Sequence, residues 1–101
     1  METNVSFVDG KGVMKLAGRF DFNSHREYRD ALNNLIALDD AESFIVDLGG
    51  VSYLDSSALG MLLLLRDKAR QAGKEVSLAG VQGSVREVLE IANFGKMFSI
   101  G

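Results

Sequence analysis

Cysteine is absent from this chain of 101 residues, and histidine occurs once. The sequence therefore excludes disulfides and thiolate metal sites, and it argues against a catalytic transition-metal centre, because cysteine and histidine are the usual ligands of such centres. A chain without cysteine is suited to a reducing compartment. We expect the protein to be cytoplasmic and to use no cofactor.

Long apolar runs and basic blocks are also missing. The longest apolar stretch, Leu59–Leu65, is interrupted by Gly60 and is far shorter than the ~18 residues of a membrane span. Met1–Asn4 carries no basic start followed by an apolar core, so we expect no secretory signal. The formal net charge of −3 makes nucleic acid a poor partner. The sequence thus predicts neither membrane insertion nor nucleic-acid binding.

What is present is the composition of a globular protein. Hydrophobic residues make up 47% and charged residues 25% of the chain, an ordinary balance for a folded domain. A chain of this length buries roughly two-thirds of its unfolded surface, which is enough for one core. We therefore predict a single domain over residues 1–101.

The order of apolar patterns predicts an α/β fold. Asp9-Gly10 separates two apolar runs and predicts an antiparallel hairpin, because glycine tolerates the positive φ of a tight turn. The predicted order is β-β-α-β-α-β-α, a small mixed sheet of four to five strands with three to four helices. After the hairpin, the predicted segments are a strand at Ser43–Leu48, a connection at Gly49–Leu54, a strand at Glu75–Ala79 and a brief pairing within Met97–Ile100.

Two Ser-x-x-Glu patterns predict where helices begin. Ser24 with Glu27, and Ser84 with Glu87, each fit a capping box, in which the serine caps the helix and the glutamate bonds back to it. Gly73 is predicted to end the intervening helix, since glycine readily takes the left-handed conformation of a C-terminal cap.

Parallel strands direct their exit loops to one edge of a sheet, where α/β proteins place working residues. The predicted exit loops are Gly18–Asn23, Gly49–Ser57 and Gly80–Gly83. The second of them carries Asp55, Ser56 and Ser57 directly before an apolar helix. One of them is expected to cap that helix. Two hydroxyls and a carboxylate exceed what one cap needs, and a helix N-terminus stabilises a phosphate. Phosphorylation of either serine would add roughly −1.5 to −2 charges, and the residue types do not distinguish the two serines.

The helix that follows these serines is apolar on more than one face. Leu62 and Ala69 share one face, while Met61 and Leu64 share another. One face can cover the sheet. The other either packs against the neighbouring helices or leaves Met61 and Leu64 exposed as a docking patch beside the serines.

Catalytic interpretations have little support from the residues. A nucleophilic Ser56 or Ser57 needs a base, and the lone His25 belongs to a different helix start. No Gly-x-Ser-x-Gly elbow is present, and Gly80–Gly83 lacks the Lys-Ser/Thr of a P-loop. We therefore expect no enzyme activity, with a small hydrolase using Ser56 as a minor alternative.

The residues around Asp55 resemble a known family. Val46-Asp47-Leu48, followed by Val51-Ser52-Tyr53-Leu54-Asp55-Ser56-Ser57-Ala58-Leu59-Gly60, is similar to the signature of STAS domains. More narrowly, it resembles bacterial anti-sigma factor antagonists, whose motif runs Asp-Ser-Ser/Thr-Gly-Leu-Gly. Gly18-Arg19-Phe20-Asp21 matches a second landmark of that family, a Gly-x-φ-Asp loop. The resemblance covers essentially the whole chain.

The resemblance implies a phosphorylation switch. Ser56 matches the family's phosphorylation site, and Asp21 matches the aspartate beside it. The unphosphorylated form would bind an anti-sigma factor, often itself a serine protein kinase. Phosphorylation would stop that binding, and a metal-dependent serine phosphatase would reverse it. The residues expected to support the site or to bind the partner are Asp21, Asp55, Ser57, Ala58, Gly60, Met61 and Leu64.

Ala58 departs from the family, which usually has glycine at this position. Its methyl group favours the helix by about 0.5–1 kcal/mol, and we expect it to add bulk close to the docking surface. An alternative hypothesis keeps the fold without the sigma-factor target. The domain would then be a regulatory subunit of a non-transcriptional pathway, such as biofilm or surface behaviour, or of a sensory or lipid-transport complex.

Overall fold

Strands and helices alternate along the chain in the predicted order. The computed structural model describes residues 1–101. Its elements are β1 (Glu2–Val8), β2 (Lys11–Phe20), α1 (His25–Ile36), β3 (Ser43–Leu54), α2 (Ser56–Gln71), β4 (Val76–Ala79), α3 (Gly83–Ile91) and β5 (Ser99–Ile100), with 3-10 turns at Phe22–Ser24 and Phe94–Lys96. The prediction of a small α/β fold with a mixed sheet is confirmed.

The strands form one sheet in the order β1-β2-β3-β4-β5. The hairpin turn has positive φ at Asp9 (50°) and Gly10 (80°), and it pairs β1 antiparallel to β2, as predicted. The other neighbours pair in parallel. Each crossover moves one strand in the same direction, so right-handed connections place α1, α2 and α3 on the same face of the sheet.

Alternation along the strands shows which face the helices cover. Met14 and Leu16 of β2, and Val46 of β3, are almost fully buried. The intervening Lys15 is exposed and Asp47 is half-buried, since successive side chains point to opposite faces. The core therefore lies between the sheet and the three helices, and the other face of the sheet is uncovered.

The predicted connection at Gly49–Leu54 is wrong, because β3 continues to Leu54. A shift in register after Lys15 lets β2 keep pairing with it, so that Gly50 pairs with Ala17 and Leu54 with Phe20. A Cβ at Gly50 would approach the Ala17 side chain to 3.0 Å, so glycine permits this close pairing. The strand consequently delivers Asp55 directly to the edge of the sheet.

Neither predicted capping box forms, although Ser24 is the N-cap residue of α1, as predicted. Ser24 makes no side-chain cap to α1, because its buried hydroxyl instead donates to the carbonyl of Arg19 at 2.8 Å. A capping box does exist three residues earlier. There Asp21 caps the 3-10 turn, and the backbone N–H of Asp21 donates to Ser24 Oγ. At the third helix the N-cap is Gln82, without a side-chain bond, so Ser84 does not cap it.

The C-terminal end of α2 follows the prediction. Gly73 has a φ of +75°, and its N–H donates to the carbonyl of Arg70. None of the helices combines the length and apolarity that crossing a bilayer requires.

Candidate functional site

Two exit loops are hydrogen-bonded to each other at the carboxyl edge of the sheet. The N–H of Asp55 donates to the carbonyl of Phe20 at 3.4 Å. In return, the N–H of Phe22 donates to Asp55 Oδ2 at 3.3 Å. These bonds hold the segment after β2 against the start of α2, so the two motif regions of the sequence form one site.

Asp55 uses both oxygens of its carboxylate. It is the N-cap of α2, with extended backbone, and its Oδ1 accepts the N–H of Ala58 at 3.0 Å. Its Oδ2 accepts the N–H of Phe22. The prediction that this region caps the helix is confirmed for Asp55. Because both oxygens bind backbone N–H groups, the carboxylate fixes the loop and leaves the serines uncommitted as caps.

Ser56 and Ser57 differ in exposure. Ser56 is the first residue of α2 and its side chain is exposed, whereas Ser57 is half-buried. Ser56 is therefore the more accessible of the two hydroxyls. A phosphate at Ser56 would lie at a helix N-terminus, where unpaired N–H groups and the helix dipole stabilise anions.

Asp21 immediately precedes Phe22, the residue whose N–H donates to Asp55. Its Oδ1 accepts the N–H of Asn23 at 3.0 Å, and its Oδ2 lies 3.4 Å from Arg19 Nε. The guanidinium of Arg19 also lies over the ring of Tyr53, 4.2 Å from the ring centroid. The structure thus places Asp21 in the loop that is hydrogen-bonded to Asp55, together with Arg19, a cation at the variable position of the Gly-x-φ-Asp motif.

Met61 is buried, with 3% of its surface exposed, so the docking alternative is wrong for this residue. Ala58 is fully buried as well, so its methyl group lies in the core and not on a docking surface, contrary to expectation. The cause is the rotation of α2 about its axis. Its buried residues, at spacings of three and four, are Ala58, Met61, Leu62, Leu65 and Ala69.

The opposite side of α2 carries the remaining predicted residues. Gly60 is exposed, with no atom within 4 Å of the point where a Cβ would lie, and Leu64 is 40% exposed. Residues three and four apart share a helix face, so Leu64 and Gly60 continue the stripe that begins at Ser56 and Ser57. Near the serines, the exposed face of α2 therefore carries small residues, and Leu64 is its one large apolar side chain.

Two aromatic residues of the site were missed from the sequence. Phe22 is 70% exposed and Tyr53 is 42% exposed, although both belong to buried types of residue. The Phe22 ring stacks on His25 with centroids 6.2 Å apart. The available signal was an aromatic residue directly after Asp21 in an otherwise polar loop. We call Phe22 of the loop after β2, Tyr53 of β3 and Leu64 of α2 the apolar rim, because all three are large exposed hydrophobic side chains at this end of the site.

Tyr28 joins the elements behind the site. Its hydroxyl donates to the carbonyl of Met61 at 2.8 Å, and its ring stacks on Phe20 with centroids 5.2 Å apart. Burial raises the pKa of the Tyr28 hydroxyl well above its usual range. This one side chain therefore connects α1 to β2 and to the second turn of α2.

Concave regions lie elsewhere on the molecule. A cavity of about 380 Å³ on the uncovered face of the sheet is lined by residues that include Lys15, Asp47 and Gly49. Neither Ser56 nor Ser57 lines this cavity or the concave regions around Arg86, Phe7 and His25. No group of three or more His, Cys, Asp or Glu is placed to hold a metal ion.

Known proteins are similar in sequence to this chain, two of them over nearly its whole length. A family model described as "Mlab, STAS domain" matches residues 3–99. A STAS-domain containing protein of Pseudomonas aeruginosa (strain UCBPP-PA14) is 42% identical over 97% of this chain and 96% of that protein. A protein of Bordetella bronchiseptica with the name "Putative anti-sigma factor antagonist BtrV" is 36% identical over 55% of this chain and 48% of that protein. The anti-sigma F factor antagonist of Paenibacillus polymyxa is 24% identical over 99% of this chain and 87% of that protein.

Solved structures share the fold. An anti-sigma factor antagonist from Mycobacterium paratuberculosis superposes with a TM-score of 0.86 at 21% identity, over 98% of this chain and 83% of that one. The Bacillus cell fate determinant SpoIIAA in its phosphorylated form gives 0.72 at 18% identity, over 99% and 91%. A sulfate transporter family protein from Wolinella succinogenes gives 0.74 at 18% identity, over 90% and 73%.

Proposed function

The chain belongs to the STAS-domain family, and on that premise we propose that it is an anti-sigma factor antagonist that works by phosphorylation-controlled partner switching. In the unphosphorylated state it binds an anti-sigma factor that is also a serine protein kinase. Phosphorylation at Ser56 blocks this binding, and a metal-dependent serine phosphatase restores it. The protein itself is a cytoplasmic binding module and no enzyme.

One observation carries the proposal. Asp55 fixes the start of α2 through two backbone N–H groups, and this leaves Ser56 exposed on a rigid helix end. A hydroxyl in that position can be modified without unfolding the domain, because the cap does not depend on it. A kinase therefore finds the same surface that a binding partner uses.

The surroundings of Ser56 explain how a phosphate would block a partner. The apolar rim supplies exposed side chains of the kind that anchor protein interfaces, with Phe22 70% and Tyr53 42% exposed. A phosphate introduces a strongly hydrated anion at the start of α2, next to the loop that carries Phe22. The partner would have to bury that charge, and the nearby carboxylates of Asp21 and Asp55 do not neutralise it.

The switch is tested with variants of Ser56 and Ser57 and a purified anti-sigma partner. Ser56→Ala should bind at wild-type affinity and resist the kinase. Ser56→Asp should lose about 10-fold or more in affinity, since a charge is buried without a partner. Ser57→Ala and Ser57→Asp are the matched controls. Wild-type affinity of Ser56→Asp, with Ser57→Asp as the damaging variant, would contradict the assignment of Ser56.

The uncovered face of the sheet favours a second candidate function. Parallel strands are usually covered on both faces, whereas here Lys15 and Asp47 face away from the helices. A regulatory subunit of a sensory, biofilm-related or lipid-transport complex would bind its partner through this face. In that case Lys15→Glu would abolish assembly and Ser56→Asp would not affect it.

A further inference from the structure

Two rows of exposed residues border the boundary between α1 and α2. The Tyr28 hydroxyl donates to the Met61 carbonyl at 2.8 Å, so these two residues mark the sides on which the helices meet. Residues three and four apart share a helix face, so His25, three before Tyr28, and Leu64, three after Met61, border the same boundary. Continued in steps of four, the exposed rows are His25, Arg29 and Asn33 on α1, and Ser56, Gly60, Leu64 and Lys68 on α2. We call these two rows the α1–α2 surface.

This surface is basic in a protein that is acidic overall. The chain has a net charge of −3, yet basic residues outnumber acidic ones on the two helices. They are Arg26, Arg29, Arg66, Lys68 and Arg70, against Glu27, Asp30 and Asp67. Arg29 and Lys68 are members of the two rows, whereas no carboxylate is. The α1–α2 surface therefore favours a partner of negative charge.

The cations of the two rows have no ion-pair partner within the chain. The ion pairs of the molecule are Arg19–Asp21 and Arg86–Glu90. Arg29 and Lys68 are both exposed. A concave region of about 340 Å³ beside Arg29 is lined by His25, Arg26, Arg29 and Asp30. Both cations are thus available to the carboxylates of another molecule.

Gly60 has no structural requirement in this fold. It lies inside α2, where glycine is less favourable to the helix than alanine. Its φ is not positive, and no atom lies within 4 Å of the point where a Cβ would lie. Glycine therefore serves neither a turn nor close packing within the chain. The missing side chain leaves space between Ser56 and Leu64 in which another molecule can approach α2 closely.

We propose that the α1–α2 surface binds an acidic segment of the partner protein, whose carboxylates contact Arg29 and Lys68 and whose apolar side chain packs over Gly60 against Leu64. The assignment of this segment to an anti-sigma factor rests on the proposed function, whereas its acidic character follows from the charges of the surface. A phosphate on Ser56 adds negative charge to the α2 row. It therefore repels the carboxylates that Arg29 and Lys68 attract.

The test uses the full, unphosphorylated chain, isotope-labelled for NMR, and two synthetic amphipathic peptides. Both peptides carry leucine on one face, and their polar positions are glutamate in the first and lysine in the second. Vesicles of anionic phospholipid are a third probe. We expect the glutamate peptide to shift the amide signals of Arg29, Gly60, Leu64 and Lys68, and the lysine peptide and the vesicles to leave them unchanged. No binding of the glutamate peptide, equal shifts from both peptides, or vesicle binding through these residues would overturn the proposal.

Charge reversals locate the contact. Arg29→Glu and Lys68→Glu should each weaken binding of the glutamate peptide by about 5-fold or more. Arg70→Glu is the matched control, because it makes the same change of charge on α2 roughly 200° around the helix from Lys68. Equal effects of Arg70→Glu and the two row variants would reduce the attraction to net charge and would contradict a specific surface.

A substitution at Gly60 separates binding from folding. Gly60→Ala should unfold at a higher urea concentration than the wild type and yet bind the glutamate peptide about 3-fold more weakly or worse. Unchanged peptide affinity in a stabilised Gly60→Ala protein would overturn the close approach at this glycine. Because the peptides require no anti-sigma factor, these failures are separate from failure of the switch, which appears as unchanged partner affinity in Ser56→Asp.

Discussion

At the scale of single residues, one carboxylate organises the site. Asp55 bonds the N–H of Ala58 in its own helix and the N–H of Phe22 in the neighbouring loop. The first bond fixes where α2 begins, and the second fixes where the exposed aromatic residue lies. The two bonds of Asp55 therefore also determine where the next residue, Ser56, lies.

Replacing Asp55 with alanine should lower the free energy of unfolding by about 1–2 kcal/mol, because a helix cap and a loop bond are lost together. Asp55→Asn should lose less, since its amide retains one acceptor oxygen. The measurement is urea unfolding followed by circular dichroism. Asp67→Ala, an exposed carboxylate on the same helix, is the control. Equal stability of Asp55→Ala and Asp67→Ala would show that the two bonds of Asp55 contribute nothing.

At the scale of elements, neighbouring leucines of α2 differ in burial. Leu65 is fully buried against the sheet, and the adjacent Leu64 is 40% exposed. Both were apolar positions in one run of the sequence. The structure assigns one to stability and leaves the other available for a partner.

Alanine substitutions of these two residues should separate the tasks. Leu65→Ala should lose about 2–5 kcal/mol of stability, because it leaves a cavity in the core. Leu64→Ala should change stability by less than about 1 kcal/mol and should weaken partner binding by roughly 10-fold. Thermal unfolding and titration calorimetry measure the two effects. A docking role for Leu64 would be refuted by unchanged affinity in a folded Leu64→Ala protein.

The bond from Tyr28 to Met61 couples α1 to α2, and it gives a signature at alkaline pH. Tyr28→Phe should lose about 1 kcal/mol near neutral pH. The raised pKa of Tyr28 means that its contribution is complete below the unfolded-state pKa and falls as pH rises above it. Above pH ~10, the advantage of the wild type over Tyr28→Phe should shrink by about 1.4 kcal/mol per pH unit.

Urea unfolding of both proteins between pH ~8 and ~11 tests this dependence. The other tyrosine, Tyr53, is present in both proteins, so its effect cancels in the difference. Parallel stability curves across this range would mean that Tyr28 ionises as readily in the folded domain as in the unfolded chain.

At the scale of the whole molecule, the periodicity of the sequence was sufficient for the order of elements and for the edge that carries the site. The Asp9-Gly10 turn and the apolar stripe of α1 are local patterns, and local patterns are readable in one sequence. The length of β3 was not readable, because it depends on pairing with β2 beyond a register shift. Strand extension of that kind is decided by a distant partner.

The candidate site was predictable in its chemistry and less so in its geometry. The cap at Asp55 followed from residue type and position. Ser24 looked equally like a cap, but a tertiary bond to the Arg19 carbonyl occupies its hydroxyl. The burial of Met61 could not be decided in advance because α2 is apolar on several sides, so its sequence does not fix which side faces the core. The exposure of Phe22 could not be predicted from its residue type and became evident only in the structure.

The central claim is that a phosphate on Ser56 breaks a protein complex without unfolding the domain. The most direct measurement is titration calorimetry of the anti-sigma partner against wild-type protein, against protein carrying phosphoserine at position 56, and against the latter after phosphatase treatment. We expect the phosphate to weaken binding by about 100-fold, with full recovery after its removal and an unchanged circular dichroism spectrum. Equal affinities of the phosphorylated and unphosphorylated proteins would contradict this claim.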